Sequence, residues 1–420
     1  MNIDQINYLV FAIPAFFLFL YLEYAISLRR RKAQDFRYER FISNVSVGIA
    51  ERLLNLFIAG SFFSLFNYIH VNYAIFDIPS TWWVWILLLL TTDLIWYWYH
   101  RLGHEINFLW AAHIVHHQSE EFNLGAAARI TTIQALVRNC FWCFLPFLGF
   151  DPLMVVIVLT IHGVYSFFTH TQLIGSIPWL EKVLITPSLH GVHHASDDKY
   201  LDKNYGDVFV FWDKIFGTFK AEEEPPRYGL THPLGSYSFL WQHFHYYFEI
   251  AEACRRVKGL KAKLKIVFGS PALLDQNIRP QIEERLFKKH RNRKLRPQLR
   301  RYLNVQIGIL VALLMFITAF FAQLAGFDKF FILSLSLVTL INCGALLEQR
   351  KWICYLEYTR LLMLASYVLF HIGYIDFLFI PVIVLMLLEK RFALSSIYNS
   401  YVLRFEHKDA AVLEHQKWDR

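Results

Sequence analysis

Nine stretches of this chain, at residues 7–26, 45–66, 82–99, 131–148, 152–169, 303–324, 329–347, 353–372 and 374–389, are mostly apolar over about the 20 residues that a helix needs to cross a bilayer. In hydrocarbon every backbone N–H and C=O must be satisfied within the chain, which leaves helices as the economical spanning element. The expected fold is therefore all-α, a polytopic helical membrane protein of about nine spans. The runs 131–148 and 152–169 are short and fit a re-entrant hairpin that turns at Asp151-Pro152. Composition agrees: 55% of residues are hydrophobic, 17% aromatic and only 18% charged, where a soluble domain carries about 25% charged. A disordered chain, a collagen and a disulfide scaffold are excluded. Five cysteines are few for stapling, and the Cys140/Cys143 pair, set in an apolar run with no second pair, reads as helix packing and not as a zinc site.

The formal charge of +8 is distributed in a way that orients the chain. Arg29-Arg30-Arg31-Lys32 follows the first run, which lacks the basic front end of a cleavable signal. Basic flanks stay in the cytoplasm, so the amino terminus is expected outside. Counting spans then puts residues 100–130, 170–300 and those after 390 on the cytoplasmic side. Residues 251–301 hold sixteen Lys and Arg against four acids, including the run 288–294. This reads as a solvated, lipid-facing connector; no aromatic-interleaved readout motif accompanies it, so nucleic acid is not an expected partner. The expected organisation is N-terminal transmembrane helices over 1–80, a histidine-rich catalytic domain over 81–250, the basic connector over 251–302, C-terminal transmembrane helices over 303–392 and a cytoplasmic tail over 393–420.

Histidine placement carries the chemistry. His100 and His104 stand four apart; His113, His116 and His117 follow, and His190, His193 and His194 repeat the H-x-x-H-H spacing. On a helix, positions three and four apart share a face. Eight imidazoles exceed what one four- to six-coordinate metal can use, so two metals are expected. Imidazole suits Fe, Zn, Cu and Ni, and the absence of thiolate weighs against iron–sulfur and structural zinc. His170, at the end of the fifth run, is the natural ninth ligand. His162, two turns earlier, reads as a packed helix histidine, and His232, His243 and His245 as structural residues of the cytoplasmic lobe. Asp93 lies in an apolar run seven residues before His100 and must be paired: it either holds the second ring nitrogen of a ligand histidine or forms an ion pair with Arg101 or Arg129. Glu105 is a ligand, a base or a solvated acid. Tyr97, Trp98, Tyr99, Phe108 and Trp110 either line a lipid slot or form an interfacial aromatic belt.

The string His100-Arg-Leu-Gly-His104-Glu105, then Trp110-Ala-Ala-His113-Ile-Val-His116-His117, then Ser188-Leu-His190-Gly-Val-His193-His194 resembles the fatty acid hydroxylase (sterol desaturase) superfamily, and within it the branch that oxidises ether lipids. Supporting residues are Ser119-Glu120-Glu121-Phe122-Asn123-Leu124 with Arg129, Phe168-Thr169-His170-Thr171, Asp202-Lys203-Asn204-Tyr205-Gly206 and Trp212-Asp213-Lys214-Ile215-Phe216-Gly217-Thr218-Phe219. The match runs over about residues 85–220. It implies a membrane-embedded non-haem diiron oxygenase: two iron ions on His100, His104, His113, His116, His117, His170, His190, His193 and His194, with Glu105, Asp93, Arg129, Asn123 and Asn204 in supporting or catalytic roles. Members often place a His or Gln one turn before His170; here Ser166 stands there. Asp207 stands where a second small residue is usual.

The implied reaction hydroxylates a C–H bond of a lipid with dioxygen, cleaving an O-alkylglycerol ether, or acts on a sterol, carotenoid or fatty acyl chain. Tetrahydrobiopterin is the implied reductant. No C-x-x-C-H and no G-x-G-x-x-G is present, so neither haem nor flavin is expected in the chain, and electrons come from a separate donor. The alternative of another class is a metal transporter or store. A transporter keeps its ligands near the bilayer midplane, whereas these boxes fall at the ends of spans.

Overall fold

The computed structural model describes residues 6–30, 36–287, 295–350, 352–398 and 400. The basic run 288–294, Arg31-Lys32 of the first flank and residues 401–420 of the tail lie outside the described residues. The described residues form helices and connecting turns, with no strand among them beyond the isolated bridges Leu184–Phe209 and Ala195–Tyr228.

The chain divides into two units, Met1–Lys289 with Leu314–Phe321, and His290–Leu313 with Ala322–Arg420. In the first, α1 (Ala12–Arg29) and the long α2 (Tyr38–Tyr73) precede α3 (Trp82–Glu105), α4 (Asn107–His117), α5 (Leu124–Ala127), α6 (Thr132–Trp142), α7 (Phe144–Leu148) and α8 (Pro152–Thr169). Then come the short α9 (Pro187–His193) and α10 (Phe211–Ile215), followed by α11 (Phe239–Arg256), α12 (Leu260–Val267) and α13 (Ile278–Leu286). The helix α14 (Pro297–Phe320) contributes to both units, and α15 (Gly326–Leu347), α16 (Ile353–His371), α17 (Phe379–Phe392) and α18 (Leu394–Tyr398) complete the second.

Among the described residues, six helices are long and apolar enough to cross a membrane: Tyr8–Arg29, Tyr38–Tyr73, Pro152–Thr169, Pro297–Phe320, Gly326–Leu347 and Ile353–His371. The other three expected runs take different forms. Residues 82–99 lie in α3, whose apolar start continues into Asp93, His100, Arg101, His104 and Glu105. Residues 131–148 divide between α6 and the five-residue α7, where Pro146 has no N–H to continue the helical ladder. Residues 374–389 divide between a 3-10 turn at Ile375–Leu378 and the 14-residue α17.

Local chemistry sets the boundaries that place the histidines. Asp151 accepts from Leu153 N at 2.9 Å and Met154 N at 3.1 Å, with Pro152 as the first helical residue of α8. The preceding turn needs Gly149, at φ +115°, because a Cβ there would meet the Phe76 carbonyl oxygen at 2.0 Å. Thr186 caps α9 in the same way, with Pro187 following it. Between α3 and α4 a single extended residue, Ile106, turns the chain. On α4, Ala111, Ile114 and Val115 enter an apolar cluster with Val47, Tyr246 and Ile250, which commits the histidines of that helix to another direction. A second cluster, around Leu88, Trp142, Leu145, Val155 and Val158, packs α3, α6, α7 and α8 together.

Candidate metal centre

Nine imidazoles from α3, α4, α9 and the end of α8 meet in two groups. His100, His104, His113, His117 and His193 form one; His116, His170, His190 and His194 form the other, with potential ligand atoms in each group within 4.8 Å of one another. The two H-x-x-H-H boxes serve both groups in opposite senses. In the α4 box the i, i+4 pair His113/His117 joins the first group and His116 the second. In the α9 box the pair His190/His194 joins the second and His193 the first. Adjacent residues on a helix point about 100° apart, so each His-His doublet sends one ring to each group. The His117 and His194 rings stack at 4.3 Å where the groups adjoin.

Hydrogen bonds fix the tautomers. Nδ1 of His100 donates to the Tyr205 carbonyl at 2.9 Å, Nδ1 of His193 to the Lys203 carbonyl at 2.9 Å and Nδ1 of His170 to the Ser166 carbonyl at 2.7 Å. Nδ1 of His113 lies 2.8 Å from the Gln134 amide, and an amide oxygen turned to that N–H gives the same tautomer. Each of these rings is left with a bare Nε2 facing inward. Yet Nε2 of His100 is 3.1 Å from Nε2 of His113, which is 3.1 Å from Nε2 of His117; in the second group His170 is 3.0 Å from His190 and 3.2 Å from His116. Where both Nε2 atoms carry lone pairs, as in His100 and His113, such a distance is repulsive unless a cation lies between them. Ligands about 2.1 Å from a shared metal sit roughly 3.0–3.4 Å apart, which matches. Nε2 of His104 and of His193 are buried without a hydrogen-bond partner, as unfilled ligand positions would be. Burial holds His113, His116, His117, His190, His193 and His194 well below the ordinary imidazole range, and His170 at about 4. They are neutral near pH 7, as metal ligation requires. The residues present thus fit two metal ions on all-nitrogen donor sets.

The remaining expected site residues hold scaffold positions. Asp93 neither orients a ligand histidine nor pairs with Arg101 or Arg129. It accepts from Val208 N at 2.9 Å, Phe209 N at 3.0 Å and the Trp212 indole at 3.1 Å, because two backbone donors of the incoming loop lie closer than any arginine. Glu105 is exposed and pairs with Arg101 at 2.8 Å, turned from the imidazoles. Asn123 caps α5 through Ala126 N. Asn204 donates to the Leu189 and Lys220 carbonyls at 3.0 and 2.7 Å, pinning α9 to the following loop. Arg129 is buried with five neutral acceptors, on Val115, Ser43, Asn44, Gln118 and Gln242; desolvation lowers it to about 9. Of the slot candidates, Trp110 lies 4.8 Å from the His104 ring and 5.5 Å from that of His117. Tyr97 is buried against Phe216 and Thr218, and Trp98 and Phe108 are exposed.

Gln134, which carried no motif, orients His113. Phe122, within the Ser119–Leu124 motif, covers His170, His190 and His194 at 5.3–6.0 Å. Glu23, buried in α1, accepts from Leu124 N at 2.8 Å and from Thr171 Oγ1 at 2.6 Å, beside His170. An acid in an apolar first span is the signal that could have found it. His162 and Asp207 join at 2.7 Å, with Asp93 3.9 Å away; the partner of His162 lies 45 residues downstream and its helical pattern gives no hint of it.

The fatty acid hydroxylase family model matches residues 85–218. The chain is 33% identical to the alkylglycerol monooxygenase of Homo sapiens over 371 residues, 85% of this chain and 81% of that protein. It is 30% identical to the Danio rerio alkylglycerol monooxygenase over 372 residues, 87% and 82% of the two chains. The chain is 28% identical to the cholesterol 25-hydroxylase of Homo sapiens over 148 residues, 34% of this chain and 53% of that one. No solved structure matches the chain.

Proposed function

The chain belongs to the fatty acid hydroxylase family, and from that premise we propose that it is a membrane lipid monooxygenase that hydroxylates the carbon beside the ether oxygen of an O-alkylglycerol. The observation that carries this reading is the pair of buried imidazole groups, five and four strong, beside Trp110 and Phe122. Two iron ions held there supply the redox chemistry that dioxygen activation needs. One oxygen atom of dioxygen enters the C–H bond; the other leaves as water with two electrons and two protons from an external reductant. The resulting hemiacetal collapses to an aldehyde and glycerol.

The chain's part is to hold and to exclude. His100, His170 and His193 keep Nδ1–H on backbone carbonyls, so their Nε2 atoms stay available whatever the oxidation state of the centre. Trp110 and Phe122 screen the two groups from water. We assign residues 81–250 as the catalytic domain and tetrahydrobiopterin as the reductant. The basic character of residues 29–32 and 251–301 supports a centre on the cytoplasmic side.

The test is turnover. Protein purified in detergent without oxygen and loaded with iron is given reductant, oxygen and a panel of alkylglycerols, sterols and fatty acids, with products read by mass spectrometry. Aldehyde from the alkylglycerol is expected. Oxidation of a sterol or fatty acid alone would move the substrate assignment, and an iron-loaded protein that oxidises nothing would overturn the function.

A further inference from the structure

The helix α12 presents two faces of unlike character. Ala262 and Ile266 turn inward, Ile266 packing by the cluster of Tyr246 and Ile250. At about 100° per residue, Leu260, Leu264 and Phe268 fall in one stripe on another side, and they are 73%, 46% and 61% exposed. Val267, half-buried against the same cluster, and then Lys263 bound the stripe on one flank, and Lys261 and Lys265 on the other. Lys258 precedes the helix, Leu273 stands exposed in the next turn, and no acid occurs between Glu252 and Asp275. Water gives no reason for three large apolar side chains to share an outward stripe. Lysines on both borders are what a helix needs to lie in a headgroup layer: the stripe enters the acyl boundary and the ammonium groups reach lipid phosphates.

The helix is also bolted to the metal centre's scaffold. Asn107, the first residue of α4, donates from Nδ2 to the Ile266 carbonyl at 2.8 Å and from its backbone to the Gly269 carbonyl at 2.9 Å. Its Oδ1 accepts from Tyr246 at 2.6 Å. Ten residues on, the same α4 ends in His116 and His117.

We propose that α12 is an interfacial helix seated in the anionic headgroup layer of the membrane the protein spans, and that through Asn107 it holds α4, and so the histidine groups, at a set depth below the headgroups. The occupant is anionic lipid and not a zwitterionic surface, since the stripe's borders are lysines without neighbouring acids. This holds whichever lipid is oxidised, and its test does not read catalysis.

Hydrogen exchange by mass spectrometry on the whole protein, one copy per nanodisc, tests it. In discs with about a third phosphatidylglycerol, amides 260–268 should exchange about tenfold more slowly than in pure phosphatidylcholine. The K261E/K263E/K265E variant should lose that difference while the amides of α4 keep their protection, which shows that the variant is folded. Equal exchange in both lipids would overturn the anionic-lipid assignment, and exchange as fast as in detergent would remove the membrane contact altogether. Protection that grows with protein concentration in detergent would hand the stripe to a second copy of the chain and likewise overturn the proposal.

Discussion

A His-His doublet on a helix places its two rings about 100° apart, and here that angle sends His116 and His117, and His193 and His194, into different groups. Single substitutions should therefore be separable. His117→Ala is expected to empty the five-histidine group and His194→Ala the four-histidine group, each cutting bound metal by about half in elemental analysis and abolishing turnover. Equal, complete metal loss from both would mean the groups fill only together. Gln134→Leu removes the partner that aims His113; metal affinity should fall roughly 10–100-fold, read by competition with a chelator. Acid acts on the same atoms. The His170 imidazole sits at about 4 in the fold against 6.5 ordinarily, so between those values the unfolded chain binds the proton and the folded one does not. Stability from this group is complete above about pH 6.5 and is lost as pH falls toward about 4. The metal-free protein should melt at a lower temperature across that window, and bound metal should shift the loss to lower pH. The box histidines were legible because their spacing is itself the chemistry. The atoms that orient them were not: the motif Asp202-Lys203-Asn204-Tyr205-Gly206 is visible, but its use is through the carbonyls of Lys203 and Tyr205, which any residue type supplies.

At the scale of elements, the centre depends on tethers between helices distant in sequence. Glu23 joins α1 to Thr171 and Leu124, 148 and 101 residues away. Glu23→Ala leaves a buried backbone N–H and a hydroxyl without an acceptor, a cost of about 1–3 kcal/mol each. Thermal melting should show the loss, and metal content should fall with it because His170 adjoins one end of the tether. The triad of Asp93, His162 and Asp207 does the same for α3, α8 and the loop that carries the Tyr205 carbonyl. His162→Leu strands the Asp207 carboxylate, and breaking such a buried pair costs about 3–5 kcal/mol; Asp207→Asn with His162 intact keeps a hydrogen bond and should cost less. Equal melting of the two variants would remove the triad from this role. The apolar periods announced the helices of the spans well. They did not announce the break at Trp142, because one proline and a close approach of backbone to Gly149 decided it.

At the scale of the whole molecule, both histidine groups belong to the first unit. The second has a polar interior of its own: Glu357 accepts from Tyr302, from Asn342 at 2.6 Å, from Tyr398 at 3.0 Å and from Arg360 at 2.9 Å. Glu357→Ala is expected to leave Arg360 without its acid and open the second unit to limited proteolysis, while iron stoichiometry stays unchanged. Iron lost along with that unit's protection would show that the centre depends on it.

The order of residues was enough to dictate an all-helical membrane protein, two metals' worth of imidazole and the family, since hydropathy, ring chemistry and i, i+3, i+4 spacing are local properties. The division of nine rings into five and four, the tautomers of His100, His170 and His193, the role of Asp93 and the tethers of Glu23 and His162 were decided by the tertiary structure. Each depends on which backbone carbonyl or carboxylate arrives from up to 148 residues away, and in a buried site the nearest satisfied partner wins over the one that sequence proximity suggests.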